Sequence, residues 1–224
     1  MRVSALVSAY YAEEYLDKRL NNIKAANAEP IVVCQYGSIE LEIAKWHGVK
    51  TVVTPDIPTI GAAWNKAIRE ASGEYLTTAN CDDTFKDGGL QLMADTMNDN
   101  PDCGVLFSSV DILKGGLCKR WDRINEIGGI VPDMFVKLQS RCFIGPMPVW
   151  RKSLHERFGY FDEDLIVSCD YDFWLRLAHG GVNFYFIRSA LGTYLKRTDS
   201  LEHRNRALKE GEKNTILERS GVTS

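Results

Sequence analysis

The chain has 224 residues, 45% of them hydrophobic, 10% aromatic and 25% charged, values typical of a globular protein with a sizeable core. Its formal net charge of -3 gives no general attraction for polyanions, so a nucleic-acid partner would need a local basic patch. Apolar runs are too short for a membrane-spanning helix, and the N-terminus lacks the features of a signal peptide. We expect a cytoplasmic protein, with peripheral contact to a membrane left open.

The cysteines are scattered along the chain, with no CxxC pair and no short cluster with histidine. This spacing does not suit a structural zinc site, and a core of this size does not need a disulfide framework. We interpret them as reduced thiols. They are Cys34, Cys81, Cys103, Cys118, Cys142 and Cys169.

Strand-like and helix-like segments alternate through the first half of the chain. Apolar runs predict strands over residues 3–9, 30–36, 49–54 and 74–79. Amphipathic patterns predict helices over residues 13–23, 39–48 and 62–72, the last with Gly73 as its C-cap. Such alternation implies right-handed crossovers and a parallel sheet, which binds ligands beyond the carboxyl ends of its strands. The loops after the four strands should therefore lie at one edge.

The second half is less regular. We predict a strand over residues 104–113, a helix over 170–180, a strand over 182–187 and a helix over 203–219. Residues 114–145 have weak periodicity and two glycine pairs, which is typical of a functional or mobile segment. No repeat or linker interrupts the chain, so we expect a single domain over residues 1–224.

Carboxylates at the end of the fourth predicted strand and at the start of a predicted helix are candidates for metal binding and catalysis. Asp82 and Asp83 follow the fourth strand directly, and Mg²⁺ or Mn²⁺ on a diphosphate needs only one or two such ligands. The alternative is that they form a turn and cap the next helix. Asp170 stands at the start of a predicted helix, where the helix dipole keeps a carboxylate ionised. Its alternative role is that of an N-cap.

Four segments resemble, in order, the motifs of family 2 glycosyltransferases: VSALVSAYYAEEYL, GAAWNKAIREASGEYLTTANCDD, GYFDEDLIVSCDYDFWLRL and LGTYLKRTDSLEHRN. The resemblance implies the GT-A fold of nucleotide-diphospho-sugar transferases, with a mostly parallel central sheet and helices on both faces. It also implies an inverting, metal-assisted transfer with Mn²⁺ or Mg²⁺. The donor would be a nucleotide-diphosphate sugar, UDP being the first expectation. The hydroxyl acceptor would be a saccharide or lipid-linked saccharide, and a nucleic acid is not favoured.

The resemblance assigns roles to individual residues. Asp170 would be the general base. Residues 1–113 would form the half that binds the nucleotide sugar, and residues 114–224 would form the acceptor and catalytic half. Metal candidates are Asp82, then Asp83, and last His203. Donor contacts are expected from Ser8, Ala9, Tyr10, Glu13, Gln35, Gly61, Trp64, Asn65, Asn80, Cys81, Asp82 and Arg197. Acceptor contacts are expected from Gly145, Trp150 and Cys169.

The chain departs from the family pattern at several of these positions. Asn80 replaces the first metal-motif Asp, and Gln35-Tyr36 replaces an Asp pair. Trp64 replaces an Arg and could pack on a ligand or in the core. Cys169 replaces an acceptor-binding Glu. Arg197 replaces a metal-binding His and could clamp diphosphate oxygens.

Two other functions stay open at this point. A catalytically degenerate binding module would explain these substitutions, whereas a sugar nucleotidyltransferase would need a Gly-rich basic loop that the N-terminus lacks. The basic residues of the 114–141 segment could contact an anionic acceptor or form solvated surface, and its glycines suggest a lid. These basic residues are Lys119, Arg120, Arg123, Lys137 and Arg141.

Overall fold

The computed structural model describes residues 2–126 and 128–221, so Met1, Ile127 and residues 222–224 of the predicted domain lie outside it. The described part forms ten strands: β1 (Val3–Ala9), β2 (Glu29–Gln35), β3 (Lys50–Thr54), β4 (Tyr75–Thr78), β5 (Thr84–Phe85), β6 (Cys103–Lys114), β7 (Leu117–Trp121), β8 (Gly129–Ile130), β9 (Val149–Arg151) and β10 (Asn183–Leu195). Its helices are α1 (Glu13–Ala25), α2 (Ile39–Trp46), α3 (Ile60–Glu70), α4 (Gly89–Asp99), α5 (Met134–Ser140), α6 (Leu154–Phe158), α7 (Cys169–His179), α8 (Leu201–Arg204) and α9 (Arg206–Arg219).

One sheet organises the molecule, with strand order β3-β2-β1-β4-β9-β6-β10-β5, while β7 pairs with β6 and β8 with β10. β1 is parallel to β2 and β4, and β6 is parallel to β10. β9 is antiparallel to both β4 and β6, so β4 and β6 run in the same direction. The carboxyl ends of the long strands therefore share one edge, as the alternating pattern predicted.

Helices cover both faces of the sheet because the central strands are apolar on both sides. In β1, Leu6 packs in a core with Trp64 of α3 and Trp174 of α7. Its neighbour Val7 packs in the other core, with Leu16 of α1. Successive side chains of a strand point to opposite faces, so one apolar run supplies both cores.

Gly73 does not cap α3. That helix ends at Glu70, and the following Ala71 is already extended, with φ -65° and ψ 131°. A β-carbon on Gly73 would lie 2.6 Å from the carbonyl oxygen of Arg2. The predicted C-cap is therefore wrong, and the glycine instead allows the chain to approach β1 closely as it enters β4.

The segment 114–145 contains more regular structure than its sequence indicates. β7 turns back onto β6 through Gly115 and Gly116, both with positive φ, and β8 and α5 follow. β10 is also longer than predicted, with register shifts against β6. The predicted C-terminal helix is divided at Asn205 into α8 and α9.

Candidate active site

A tight turn after β4 presents two carboxylates in different environments. The backbone N–H of Asp83 donates to the carbonyl of Asn80 at 3.2 Å, which closes the turn. Asp83 is buried, and its oxygens accept from the Leu195 N–H at 3.1 Å and the Asn80 amide at 3.4 Å. The side chain of Asp82 remains 22% exposed. Asp83 thus ties the turn to the end of β10, whereas Asp82 can reach a ligand.

Burial dominates the electrostatics of this turn. It raises the pKa of Asp82, against the nearby Arg197 and Arg19 charges. It also raises the pKa of Asp83 to about 7, with a further contribution from the Asp82 charge. Desolvation disfavours the charged form of a carboxyl group, so this acidic turn favours a cation beside it.

Two guanidinium groups flank the acidic turn. Arg197 approaches Asp82 at 3.5 Å, pairs with Asp199 through Nη2 at 2.8 Å, and lies 4.8 Å above the ring of Tyr15. The hydrogen bonds that Arg197 donates to the Asp199 carboxylate are the largest cause of the raised pKa of Arg197. Arg197 therefore lies against Asp82, whereas His203 is an exposed residue of α8.

The second guanidinium, Arg19, was not foreseen as part of this region. It is buried beneath the turn, where it donates to Asn22 at 2.7 Å and lies 4.3 Å above the ring of Phe85. Burial lowers its pKa to about 10, while the Asp83 charge opposes this shift. Helical periodicity places Arg19 on the same face of α1 as Leu16 and Leu20. The sequence could therefore have indicated that Arg19 is buried.

The carboxylate oxygens at this edge of the sheet suit a divalent cation that is already bound to a diphosphate. Among residues 2–126 and 128–221, no three His, Cys, Asp or Glu side chains form a group able to hold a metal ion. Mg²⁺ bound to a diphosphate needs one or two carboxylates, with phosphate and water oxygens completing its shell. Asp82 fits that requirement, whereas Asp83 already uses both oxygens in hydrogen bonds.

Asp170 lies on the second side of the same edge. It is the second residue of α7, after the N-cap Ser168 and Cys169, so it is not itself the N-cap. Its Oδ1 accepts from the Tyr171 N–H at 2.8 Å. A β-carbon on Gly61, near the start of α3, would lie 3.2 Å from Cys169 Sγ. Since α3 begins beyond the carboxyl end of β3, this packing brings Asp170 to the edge that holds Asp82.

The loop of residues 142–146 lies between the two carboxylates and is held from below by Arg123. This buried guanidinium donates to the carbonyls of Phe143 at 3.4 Å, Ile144, and Pro146 at 3.3 Å. A β-carbon on Gly145, which has a φ of +62°, would overlap the guanidinium. Arg123 therefore organises this loop, and its burial fits neither of the two alternatives raised by the sequence, contact with an anionic acceptor or solvated surface.

Electrostatic interactions show that this loop connects the two sides of the site. Burial lowers the pKa of Arg123 to about 9, and interactions with the nearby Cys142 and Asp83 oppose this shift. Burial raises the pKa of Cys142 strongly, and the charge of Asp170 adds to that shift. Coulombic interactions weaken with distance, so Asp83, Arg123, Cys142 and Asp170 are neighbours in succession, and the 142–146 loop lies near both carboxylates.

Several predicted ligand contacts are core residues instead. Trp64 is 6% exposed and packs 5.3 Å from the ring of Phe161. Trp150 is fully buried and packs 5.4 Å from the ring of Trp174. Asn65 donates to the Phe161 carbonyl at 2.8 Å and accepts from its N–H at 3.0 Å. Trp64 and Asn65 of α3 thus pack against the loop that leads to α7, and Trp150 of β9 packs against α7 itself, so the contacts of these side chains are those of core residues.

The remaining predicted contacts divide by exposure. Ser8, Gln35, Asn80 and Cys81 are half-buried at the ends of β1, β2 and β4, and the Cys81 thiol donates to the Ser8 carbonyl at 3.5 Å. Tyr10 and Glu13 are exposed beside them, whereas Ala9 and Cys169 are buried and Gly61 contacts Cys169. The structure therefore brings the half-buried and exposed residues to one edge, on the Asp82 side.

A family model described as glycosyl transferase family 2 matches residues 4–159. The chain belongs to this family. Among curated glycosyltransferases of uncharacterised specificity, MJ1057 of Methanocaldococcus jannaschii is 29% identical over 60% of this chain and 46% of its own length. YwdF of Bacillus subtilis is 27% identical over 52% of this chain and 43% of its own. The chain thus spans less than half the length of these relatives.

Solved glycosyltransferase structures confirm the GT-A fold. S. aureus TarS 1-349 in complex with UDP-GlcNAc has a TM-score of 0.73 at 18% identity, covering 97% of this chain and 70% of that one. The mannosyltransferase PcManGT of Pyrobaculum calidifontis, in complex with GDP-Man and Mn²⁺, has a TM-score of 0.72 at 16% identity, covering 100% and 65%. The family 2 match ends before Asp170, so the role of Asp170 depends on its geometry. No helix in the described ranges is long and apolar enough to cross a membrane.

Proposed function

We propose that this family 2 domain transfers a sugar, with inversion, from a nucleotide diphosphate to an acceptor hydroxyl. The observation that carries the proposal is the pair of half-buried carboxylates, Asp82 and Asp170, at one edge of the sheet. One lies among groups suited to a metal-bound diphosphate, and the other lies in the first turn of a helix. Separate sites for the leaving group and the attacking hydroxyl are what a displacement at a sugar carbon requires.

The donor is expected at the ends of β1, β2 and β4. The similar proteins TarS and PcManGT were solved with UDP-GlcNAc and with GDP-Man and Mn²⁺, respectively, which supports a nucleotide-sugar donor for this chain. UDP remains our first expectation. Gln35 offers an amide donor and acceptor to a base where the family pattern has a carboxylate.

The diphosphate would lie against Asp82 and Arg197. Asp82 would hold Mn²⁺ or Mg²⁺, which would supply Lewis-acid stabilisation of the leaving diphosphate. The Arg197 guanidinium matches phosphate geometry, and it can exchange its contact with Asp82 for one with a phosphate oxygen. The negative charge that develops on the leaving group is then met by this fixed cation.

Asp170 acts as the general base in this proposal. The N-terminus of α7 favours its ionised form, and its carboxylate takes the acceptor's hydroxyl proton as that oxygen attacks the anomeric carbon. The bond from that carbon to the diphosphate oxygen breaks in the same displacement, and its electron pair leaves with the nucleotide diphosphate. A single displacement from the opposite face inverts the anomeric configuration.

The acceptor side comprises Asp170 and the 142–146 loop. A saccharide or lipid-linked saccharide is the expected class, and Gly145 is half-buried in that loop. A lipid-linked acceptor would bring the protein to a cytoplasmic membrane surface. Co-sedimentation with vesicles that contain a polyprenyl-phosphate saccharide would detect that association.

A degenerate binding module is the second candidate, because Arg197 already pairs with Asp82 at 3.5 Å where the family pattern has a metal-binding His. Such a protein would bind a nucleotide sugar without turning it over. A transfer assay therefore separates the two functions. A nucleotidyltransferase would instead form a nucleotide sugar from a nucleoside triphosphate and a sugar phosphate.

The experiment begins with a thermal-shift screen of UDP-, GDP- and dTDP-sugars, with Mn²⁺ or with EDTA, since ligand binding raises apparent stability. With the donor identified, Asp170→Asn should lower the transfer rate by at least about 10³-fold and leave the donor Kd within about twofold. Asp82→Asn should weaken donor binding in Mn²⁺ but not in EDTA. Asp164→Asn, in the exposed part of the loop before α7, is the matched control and should change neither.

The outcomes separate the candidates. Donor binding without turnover by the wild-type protein, across a panel of saccharide acceptors, would favour the binding module. Turnover retained by Asp170→Asn would place the base elsewhere. An Mn²⁺-dependent affinity unchanged by Asp82→Asn would remove Asp82 from the metal site.

A further inference from the structure

The C-terminal helix α9 buries a carboxylate against the segment that leads into α7. Within α9, the buried residues are Glu212 and Ile216. Glu212 is 7% exposed, and a buried charge needs hydrogen-bond partners. In a helix otherwise rich in exposed charged residues, this position is an exception that packing alone does not explain.

Three consecutive backbone N–H groups supply these partners. The Glu212 carboxylate accepts from the N–H groups of Ile166 at 2.6 Å, Val167 at 3.1 Å and Ser168 at 2.8 Å. Successive N–H groups that converge in this way form an anion-binding concavity, and hydrogen bonds to an ionised acceptor are stronger than neutral ones. The carboxylate therefore holds the backbone of all three residues in one arrangement.

These residues lead directly to Asp170. Ser168 is the N-cap of α7 and makes no side-chain capping hydrogen bond. The entry to the helix is therefore held by a residue 44 positions later in the chain. Because Asp170 is the second residue of α7, a shift of this segment moves its carboxylate.

α9 also contacts the other wall of the catalytic side. Lys213 Nζ donates to the Ser140 carbonyl at 3.0 Å, at the end of α5 and just before the 142–146 loop. The Tyr171 hydroxyl donates to the Leu138 carbonyl at 2.6 Å and joins α7 to α5. One helix thus ties together the two segments between which Asp170 lies.

We propose that Glu212 is a positioning residue for Asp170. Its carboxylate fixes the Ile166–Ser168 backbone, which sets the start of α7 and aims Asp170 at the acceptor hydroxyl. This inference rests on the proposed role of Asp170 as general base. A misplacement of about 1 Å in a reacting group can lower a rate by about 10²-fold, so the hydrogen bonds are expected to affect turnover as well as folding.

Glu212→Gln is the informative variant because its amide NH₂ faces the N–H groups and its single oxygen cannot replace both carboxylate oxygens. We expect kcat to fall about 10- to 100-fold, with the donor Kd and KM within about twofold of wild type. Glu210→Gln, at an exposed position of the same helix, should leave kcat unchanged. Ile216→Val removes buried volume from α9 and should lower the melting temperature without lowering kcat at temperatures where the protein is folded.

A double-mutant cycle tests whether Glu212 acts through Asp170. In the Asp170→Asn background, Glu212→Gln should cause no further loss of the residual rate. Three outcomes would each overturn the inference. In the first, Glu212→Gln lowers the rate of the Asp170→Asn variant by the same factor as it lowers the wild-type rate. In the others, kcat of Glu212→Gln stays within twofold of wild type, or Ile216→Val loses as much kcat as Glu212→Gln. Full turnover by Asp170→Asn alone would instead show that the base assignment fails, whatever the Glu212 variants do. If Glu212→Gln is unfolded at the assay temperature, Glu212→Asp takes its place, because it keeps the charge but reaches less far. We expect Glu212→Asp to lower kcat, by less than the loss of about 10- to 100-fold expected for Glu212→Gln. A wild-type kcat for Glu212→Asp would overturn the inference.

Discussion

Replacement of Gly145 by alanine is the most direct test of how Arg123 holds the 142–146 loop. Gly145 has a φ of +62°, and a β-carbon there would overlap the guanidinium of Arg123. That guanidinium is buried and cannot move aside without losing its hydrogen bonds to the carbonyls of Phe143, Ile144 and Pro146. The substitution therefore causes both backbone strain and the loss of buried, charge-assisted hydrogen bonds.

The two effects can be estimated separately. A left-handed backbone conformation costs an alanine about 1–2 kcal/mol. Loss of one hydrogen bond from a buried charged donor costs about 1.5–3 kcal/mol, so the free energy of unfolding should fall by about 2.5–5 kcal/mol in total. For a chain of this length, about 1 kcal/mol corresponds to a melting-temperature shift of about 3 °C. Gly145→Ala should thus lower the melting temperature by about 8–15 °C.

Gly48→Ala is the matched control. Gly48 has nearly the same backbone conformation, with a φ of +61°, but a β-carbon there would meet no atom within 4 Å. It should therefore show the backbone cost alone, with a melting temperature lowered by about 3–6 °C. Urea denaturation of both variants, with their m-values compared, gives the free energies directly.

Comparable destabilisation of the two alanine variants would refute the reasoning, because it would mean that Arg123 does not hold the loop. A second measurement uses Arg123→Met as the background. In that background, the additional cost of Gly145→Ala should fall to that of Gly48→Ala. A cost that stays at about 2.5–5 kcal/mol would show that another group resists the methyl group.

Two further predictions concern stability at sites near α7. Burial lowers the pKa of His155 to about 4, below its usual value of about 6.5, so the unfolded chain binds more protons than the folded one between these values. The contribution of His155 to the free energy of unfolding should therefore be fully present above about pH 6.5 and decrease as the pH is lowered, by about 2 kcal/mol between pH 7 and pH 5. Urea denaturation at these two pH values should show a smaller decrease for His155→Phe than for the wild type. An equal decrease would contradict a buried neutral histidine. Asn65→Ala leaves the Phe161 N–H and carbonyl unpaired and should cost about 2–3 kcal/mol with no change in donor Kd, whereas weaker donor binding at unchanged stability would support the ligand contact expected from the sequence.

Local patterns sufficed for most of the secondary structure of the first half. Strands and helices there recur with clear periodicity, and the structure confirms their order, direction and shared edge. The position of Asp82 after β4 follows from the same reasoning, because a polar turn after a buried strand must emerge at that edge. The burial of Arg19 could also have been predicted, since its spacing places it on the apolar face of α1.

Other features depended on contacts between residues distant in sequence. β9 has three residues and no distinctive pattern, and it becomes a strand because β4 and β6 lie on either side of it. Trp64 has the same amphipathic spacing whether it faces a ligand or the core, and Phe161 decides between them. Gly73 resembled a helix cap because the nearby backbone of Arg2 cannot be inferred from local sequence.

Local residue patterns were enough to predict the family resemblance, the alternation of strands and helices, and the carboxylates Asp82 and Asp170 at the ends of regular elements. The folded chain was needed to show that Arg123 supports the 142–146 loop and that Glu212 holds the entry to α7. A charged residue in a loop or on a polar helix looks solvent-exposed when read locally, because exposure is the default for a charge. Its burial depends on partners such as the Ile144 carbonyl and the Ser168 N–H, which only the folded chain brings within hydrogen-bonding distance.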